Sequence, residues 1–351
     1  MKQDLRNYEP DALVQLMKEE KIPSFRGKQI FEWVSKGVDD FEAMNNIPKA
    51  LKEKLSDKYI IKNMDVVDIM KSKSDGTRKY LMELNDGNII ECVFMKYKHG
   101  NTLCISTQVG CRMKCSFCAS TIHGLERNLT AGEMIGQIYE VQNDTNERIS
   151  NVVLMGSGEP LDNYDEVLRF LHLVNHPKGL NISMRSITVS TCGLIPRIKD
   201  LMNEKLQLTL AISLHATEDE KRSQLMPVNK KYSVHELLSV CKEYTKVTGR
   251  RITFEYALIE GENDSIEEAE KLGRLLRDIH CHVNLIPINP VKEKKFKATS
   301  NENAKAFQNV LKRYSVEATI RRELGADIDA ACGQLRNKHM EGKKKANFAN
   351  L

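Results

Sequence analysis

The sequence predicts an α/β protein built on an incomplete barrel of six βα units, with a small helical module before it and a β-rich segment between the two. Three observations carry this. Apolar positions fall at helical spacing over residues 1 to about 55, apolar and polar residues alternate between turns over 59–97, and short apolar runs alternate with helical patterns after Asn101. With 351 residues, 41% of them hydrophobic, the chain can bury a barrel-sized core and still carry an accessory domain.

In the first module Leu13, Leu16 and Met17, then Ile30, Phe31, Trp33 and Val34, repeat at helical spacing, punctuated by Pro23 and Gly27. The stretches 66–70, 79–84 and 89–95 read as a β-meander or hairpin, broken at Asp75-Gly76 and Asp86-Gly87. Apolar runs at 103–106, 152–155, 186–190, 208–213, 252–259 and 283–287 each precede a helical pattern, which implies parallel strands joined by right-handed crossovers. Hydroxyl and carboxylate pairs with capping-box spacing mark helix starts: Thr130 with Glu133, Thr217 with Glu220, Ser233 with Glu236, and Ser265 with Glu268. The expected division is an accessory module over 1–58, a connecting segment over 59–97, the barrel over 98–335 and a basic tail over 336–351.

Fifty-three basic against 48 acidic residues leave a net charge of +5, too small to demand a nucleic-acid partner. Local clusters matter more. Lys292 to Lys297, and Arg336, Lys338, Lys343, Lys344 and Lys345 in the tail, offer positive patches suited to phosphates, although solvated surface accounts for each equally well. No apolar run approaches the roughly 20 residues that cross a bilayer, and the start is charged and polar, so a cytoplasmic protein with no membrane partner is expected. Nine cysteines in that compartment point to metal or redox work rather than a disulfide framework.

Three of them, Cys111, Cys115 and Cys118, fall within eight residues just after the first expected barrel strand, on the rim where such barrels carry their sites. A cubane 4Fe–4S cluster normally takes four thiolates, and no fourth cysteine follows closely. One iron would stay open to chelate the amino and carboxylate groups of S-adenosylmethionine (SAM). The alternative is a structural Cys₃His zinc site completed by His123. Further polar groups recur at strand ends. The turn 156–160 (Gly-Ser-Gly-Glu-Pro) lets backbone approach a ligand and carries Glu159; Ser190 and Thr191 end the third strand, Ser213-Leu214-His215 the fourth, and Asn289 follows the sixth. Taken singly, each is as well explained as a cap or a satisfied loop residue.

Several segments together resemble one family: 103–110 (Leu-Cys-Ile-Ser-Thr-Gln-Val-Gly) before the cysteines, Arg127-Asn128-Leu129-Thr130, the 156–160 turn, Leu225-Met226-Pro227-Val228-Asn229, and the closing 327–335 (Asp-Ile-Asp-Ala-Ala-Cys-Gly-Gln-Leu). On these motifs nearly the whole chain is similar to the dual-specificity 23S rRNA and tRNA adenine-C2 methyltransferases, the RlmN family of the radical SAM superfamily. Its turn reads Gly-Ser-Gly where the family often has Gly-Met-Gly, but both glycines and Glu159 remain. A paralogous antibiotic-resistance family, which methylates C8 of the same rRNA adenosine, shares the cluster and both mechanistic cysteines. Pro160 after Glu159 matches the C2 enzymes.

The resemblance implies a partial, TIM-like radical SAM (β/α)6 barrel with one 4Fe–4S cluster on Cys111, Cys115 and Cys118. It implies SAM held by Gly158, Glu159, Ser190, Ser213, Leu214, His215 and Asn289, with two SAM molecules used per turnover. Adenine C2 is electron-poor, so polar methylation fails and a carbon radical is required. In the implied route Cys332 takes a methyl from one SAM, and the 5′-deoxyadenosyl radical from a second abstracts hydrogen from that methyl. The resulting S-methylene radical adds to C2, Glu91 takes the C2 proton, and Cys104 attacks Cys332 to release product and leave a disulfide. The implied substrates are 23S rRNA at the peptidyl transferase centre and the adenosine 3′ of the tRNA anticodon, with Arg26, Lys28 and the tail on phosphates. A reducing system for the cluster and the disulfide, and a monomeric enzyme, are also expected. From another class, a non-catalytic RNA-binding protein with a structural metal would share the cysteine spacing.

Overall fold

The computed structural model describes residues 2–62, 64–289, 295–330 and 333–334. Strand β1 (Gln3–Asp4) pairs in parallel with β2 (Tyr59–Ile60) and closes a module of three helices, α1 (Pro10–Glu19), α2 (Phe25–Val34) and α3 (Lys49–Lys58). Pro10 opens α1 with its fixed φ, and Leu13 and Met17, one turn apart, are fully buried. Helix α2 lies against them because Gly27 has no side chain: a Cβ there would stand 2.6 Å from the Val14 nitrogen.

An antiparallel meander follows, β3 (Met64–Lys71), β4 (Arg78–Leu84) and β5 (Ile89–Tyr97), and leads into β6 (Gly100–Cys104). A short ribbon, β7 (Gln108–Gly110) with β8 (Leu125–Asn128), carries the cysteine segment between its strands. The βα alternation then runs through α4 (Ala131–Thr145), β9 (Asn151–Leu154), α5 (Tyr164–Asn175), β10 (Ile187–Thr191), α6 (Ile195–Asn203) and β11 (Thr209–Ser213). It continues with α7 (Asp219–Leu225), α8 (Val234–Thr248), β12 (Ile252–Leu258), α9 (Ile266–Leu276), β13 (Cys281–Pro287), α10 (Asn301–Arg313) and β14 (Ala318–Ile320). All but the first two strands and the ribbon join one ten-stranded sheet, ordered β14-β13-β12-β11-β10-β9-β6-β5-β4-β3. From β6 to β14 every neighbouring pair is parallel.

The sheet holds one parallel strand more than the six expected. Strand β14 spans three residues, Ala318-Thr319-Ile320, too few to show a period. Capping boxes form at Thr130/Glu133 and Ser233/Glu236. The pair expected at Thr217/Glu220 does not form: Glu218 is the N-cap of α7, and the buried Thr217 hydroxyl donates instead to Glu268 Oε2 at 2.7 Å. That contact also takes the Glu268 carboxylate away from Ser265, whose side chain still accepts the Glu268 N–H.

One hydrophobic core runs from the module (Leu13, Ile30, Phe31) through the meander (Tyr80, Phe94) into the barrel (Val152, Phe254, Phe307). At the junction the buried Arg6 guanidinium lies 5.2 Å from the Tyr139 ring centroid, and Asn7 Oδ1 accepts the Gly132 N–H at 2.7 Å, so helix α4 is docked by the module. Among the described residues no helix is long and apolar enough to cross a membrane.

Candidate active site

At the C-terminal ends of the parallel strands a cavity of about 170 Å³ is lined by Cys111, Cys115 and Cys118 together with Gly158, Glu159, Ser190, Ser213, His215 and Asn289. Of the expected cofactor residues only Leu214 does not line it; its side chain is fully buried, and its carbonyl accepts from Arg222 Nε at 3.0 Å.

The cysteine loop is shaped locally. Gly110 has φ +75, and a Cβ there would lie 2.0 Å from the Gly124 carbonyl oxygen, so only glycine lets β7 and β8 cross. Gln108 Nε2 donates to Asn128 Oδ1 (2.8 Å) and Asp162 Oδ2 (2.9 Å), while Arg112 grips Asp162 through two bonds of 2.8 and 2.9 Å. The Thr121 hydroxyl donates to the carbonyls of Cys115 (3.2 Å) and Cys118 (3.0 Å). Burial pushes the Cys111 thiol up to about 12 and the Cys115 thiol upward as well, so in this dry pocket thiolates form only against a cationic partner.

The donor set fits a cubane: Cys111, Cys115 and Cys118 wall one cavity and supply three thiolates. His123, the fourth ligand of the zinc alternative, is exposed and does not line the cavity.

Opposite the thiols, the glycine turn is pinned to the end of β6. Ser157 donates its N–H to Ser106 Oγ at 3.0 Å, and its carbonyl accepts from Thr107 and Gln108 at 2.9 and 3.1 Å. A Cβ on Gly156 would meet the Ile105 carbonyl oxygen at 2.6 Å. Glu159 is fully enclosed, and burial pushes its carboxyl upward. Each of its oxygens accepts one backbone N–H, from Leu161 at 3.0 Å and from Cys192 at 2.8 Å, so it ties the end of β9 to that of β10. His215 has φ +57, and its Nδ1 accepts the Ala257 N–H at 2.9 Å. Burial, with Arg222 nearby, lowers its pKa to about 3; the ring is neutral and its proton sits on Nε2.

A second cavity, of about 320 Å³, adjoins the first across shared walls of Met155, Ile286, Asn289 and Arg321. Cys104 lines it with Val93, Met95, Arg322 and Ala330. Glu91 stands one pleat before Val93, the partner of Cys104 in the β5–β6 ladder, and so projects to the same sheet face. It is buried at 4% exposure, against the exposed carboxylate that a strand default suggests, and it lines neither cavity. Cys332, the tail basic residues and Lys292 lie outside the described residues. The bracketing residues are described: Ala330 lines the second cavity and Gly333 the first, and the Ala119 N–H donates to the Gly333 carbonyl at 2.8 Å.

Two residues escape sequence reasoning. Arg222 is fully buried and satisfies the carbonyls of Leu214, Cys192 and Ser213 as well as Asn229 Oδ1, at 2.8 to 3.0 Å. In sequence it is one charge in a charged helix start, and only Asn229 of the 225–229 motif hinted at it. Glu255 lines the first cavity from within β12, accepts from Asn284 Nδ2 at 3.0 Å, and has its carboxyl pushed upward by burial. A carboxylate inside an apolar strand was the missed signal. Of the other described cysteines, Cys92 and Cys241 are fully buried, Cys192 is buried and walls the cavity, and Cys281 is half-buried.

Residues 105–273 match the family model of the radical SAM superfamily, and residues 3–61 that of the ribosomal RNA large subunit methyltransferase N-terminal domain. The chain is 56% identical over 334 residues to a probable dual-specificity RNA methyltransferase RlmN of Clostridium perfringens, covering 95% of this chain and 96% of the relative. It is 58% identical over 317 residues to the protein of the same description from Alkaliphilus oremlandii, covering 90% and 92%. Among solved structures it is similar to a radical SAM methyltransferase from Sphaerobacter thermophilus, with a TM-score of 0.92, 41% identity and coverage of 96% and 100%.

Proposed function

The chain belongs to the RlmN family of radical SAM RNA methyltransferases, and from that premise we propose how its own residues methylate C2 of an adenosine in 23S rRNA and of the adenosine 3′ of the anticodon in tRNA. The enzyme uses a 4Fe–4S cluster and SAM. Bound in the first cavity, the cluster would supply the electron for reductive cleavage of SAM.

Cys111, Cys115 and Cys118 would hold the cluster and leave it a position open to SAM. The turn at Gly158 admits backbone close to the cofactor, Glu159 fixes the rim and offers its remaining lone pairs to the SAM ammonium, and Ser190, Ser213, His215 and Asn289 line the remainder. His215 can only donate, through Nε2–H, because Nδ1 is already used. The adenine enters the second cavity after leaving its stack. Cys332 carries the methyl. Once the adduct has returned its unpaired electron to the reducing system, Glu91, on the sheet face that bears Cys104, takes the C2 proton; Cys104 then bonds to the Cys332 sulfur as the C–S bond breaks, its electron pair passing to the product carbon, which is protonated to the methyl group.

One observation supports this reading above the others: two adjoining cavities, one walled by the three thiols and Gly333, the other by Cys104 and Ala330. Residues 1–58, with Arg26 and Lys28, serve in this reading as the module that holds RNA phosphates, and the protein acts as a cytoplasmic monomer that draws on a cellular reductant. The test is to digest rRNA and tRNA from cells with and without the protein. 2-Methyladenosine in both RNAs should depend on it; 8-methyladenosine instead would overturn the regiochemistry, and no change in either would overturn the function.

A further inference from the structure

We propose that the β3–β4 turn is a clamp, with Asp75 and Lys79 as positioning residues that hold residues 325–329, the stretch of chain that leads to Cys332. The inference rests on the reading that Cys332 carries the methyl group. Asp75-Gly76 looks in sequence like an ordinary hairpin turn, and Asp327 and Asp329 like loop residues. In the fold they meet across the whole chain.

Asp75 Oδ2 accepts the Gly325 N–H at 2.8 Å while its Oδ1 accepts the Thr77 N–H at 2.9 Å. In return Asp327 Oδ2 accepts the Lys73 N–H at 3.0 Å. Lys79, only 2% exposed, donates from Nζ to the Asp329 carbonyl at 3.1 Å. Because Lys79 opposes Val93 in the ladder, and Val93 opposes Cys104, the ammonium approaches from the sheet face that bears Cys104. Gly325 and Asp329 both take left-handed φ, +66 and +50, and a Cβ on Gly325 would meet Thr77 Cγ2 at 2.9 Å, so the segment is bent tightly onto the turn. Burial pushes the Asp75 carboxyl up, but the bonds from Thr77 and Gly325 outweigh it and hold it at about 2, so the acceptor stays charged at working pH.

The far side of Cys332 has a different anchor. Gly333 is tied to Ala119, beside the cluster loop. The methyl-carrying residue is thus bracketed by one attachment to the meander and one to the cluster loop. A fixed pivot on the meander side constrains the chain that leads to Cys332, and catalysis by positioning is sensitive to displacements of about an ångström.

The test compares Asp75→Asn and Lys79→Met holoenzymes with wild type, measuring iron content, 5′-deoxyadenosine, 2-methyladenosine and, by intact mass, the methyl on Cys332. Iron and SAM cleavage should stay near wild type, while 5′-deoxyadenosine released per methyladenosine formed rises roughly ten-fold or more. Lys79→Arg, which keeps a cationic donor, should recover much of the coupling. A purely structural role would lower all readouts together and leave the ratio unchanged; an unchanged ratio in Asp75→Asn overturns the clamp, and this half-buried position supplies the answer should Lys79→Met fail to fold. Absence of methyl on Cys332 in the wild-type protein would instead overturn the carrier reading itself, independently of the variants.

Discussion

A histidine held neutral inside the barrel rim makes stability depend on pH in a defined direction. Because folding lowers the His215 pKa from 6.5 to about 3, the unfolded chain binds a proton that the native state refuses between those values. The native state therefore loses stability as pH falls below about 6.5, by at most about 1.4 kcal/mol per pH unit. Glu159 and Glu255, whose carboxyls burial pushes up, act with the opposite sign, so the informative quantity is a difference. Urea unfolding at pH 7 and 5 should show wild type losing more on acidification than His215→Asn; parallel losses would mean that the ring is protonated in the fold. The cysteines separate by role. Cys118→Ala should purify without its cluster, Cys332→Ala should keep the cluster and make no methyladenosine, and Cys104→Ala should trap a covalent enzyme–RNA adduct. Normal iron in the first, turnover in the second or unlinked protein in the third would each remove that assignment.

Among the elements, the β7–β8 ribbon is the one whose shape the site depends on most directly. Gly110→Ala puts a side chain in a left-handed conformation, at about 1–2 kcal/mol, and drives it into a backbone oxygen that cannot rotate away. The expected result is a folded barrel, by far-UV circular dichroism, with iron content reduced severalfold. Full iron loading would show that the ribbon can reshape around the clash. Elements with a long period were readable in advance: the runs at 252–259 and 283–287 became β12 and β13, and the boxes at Thr130 and Ser233 formed. Thr217 was misread because its spacing to Glu220 is local, whereas its actual partner, Glu268, stands 51 residues away on the next helix but one.

At the scale of the whole molecule, the module and barrel share one core, locked by the buried Arg6 and the Asn7–Gly132 bond. They should unfold together. The chain has a single tryptophan, Trp33, in the module, so its fluorescence reports there while circular dichroism reports mainly on the barrel. The two urea transitions should coincide; a tryptophan transition at lower urea would show a separately folding module. The same continuity brings the β3–β4 turn to the segment before Cys332, a contact between residues some 250 apart in the chain.

The amino-acid sequence determined whatever depends on near neighbours and periodicity: the βα order, the cysteine spacing and the glycines that allow close approach. Tertiary structure decided what depends on enclosure. It turned Arg222 from a surface charge into a buried clasp, Glu159 into a tie between two strand ends, and Glu91 into a buried acid. The physical reason is that desolvation and long-range hydrogen bonding are set by which segments the sheet brings together, and no local pattern encodes that.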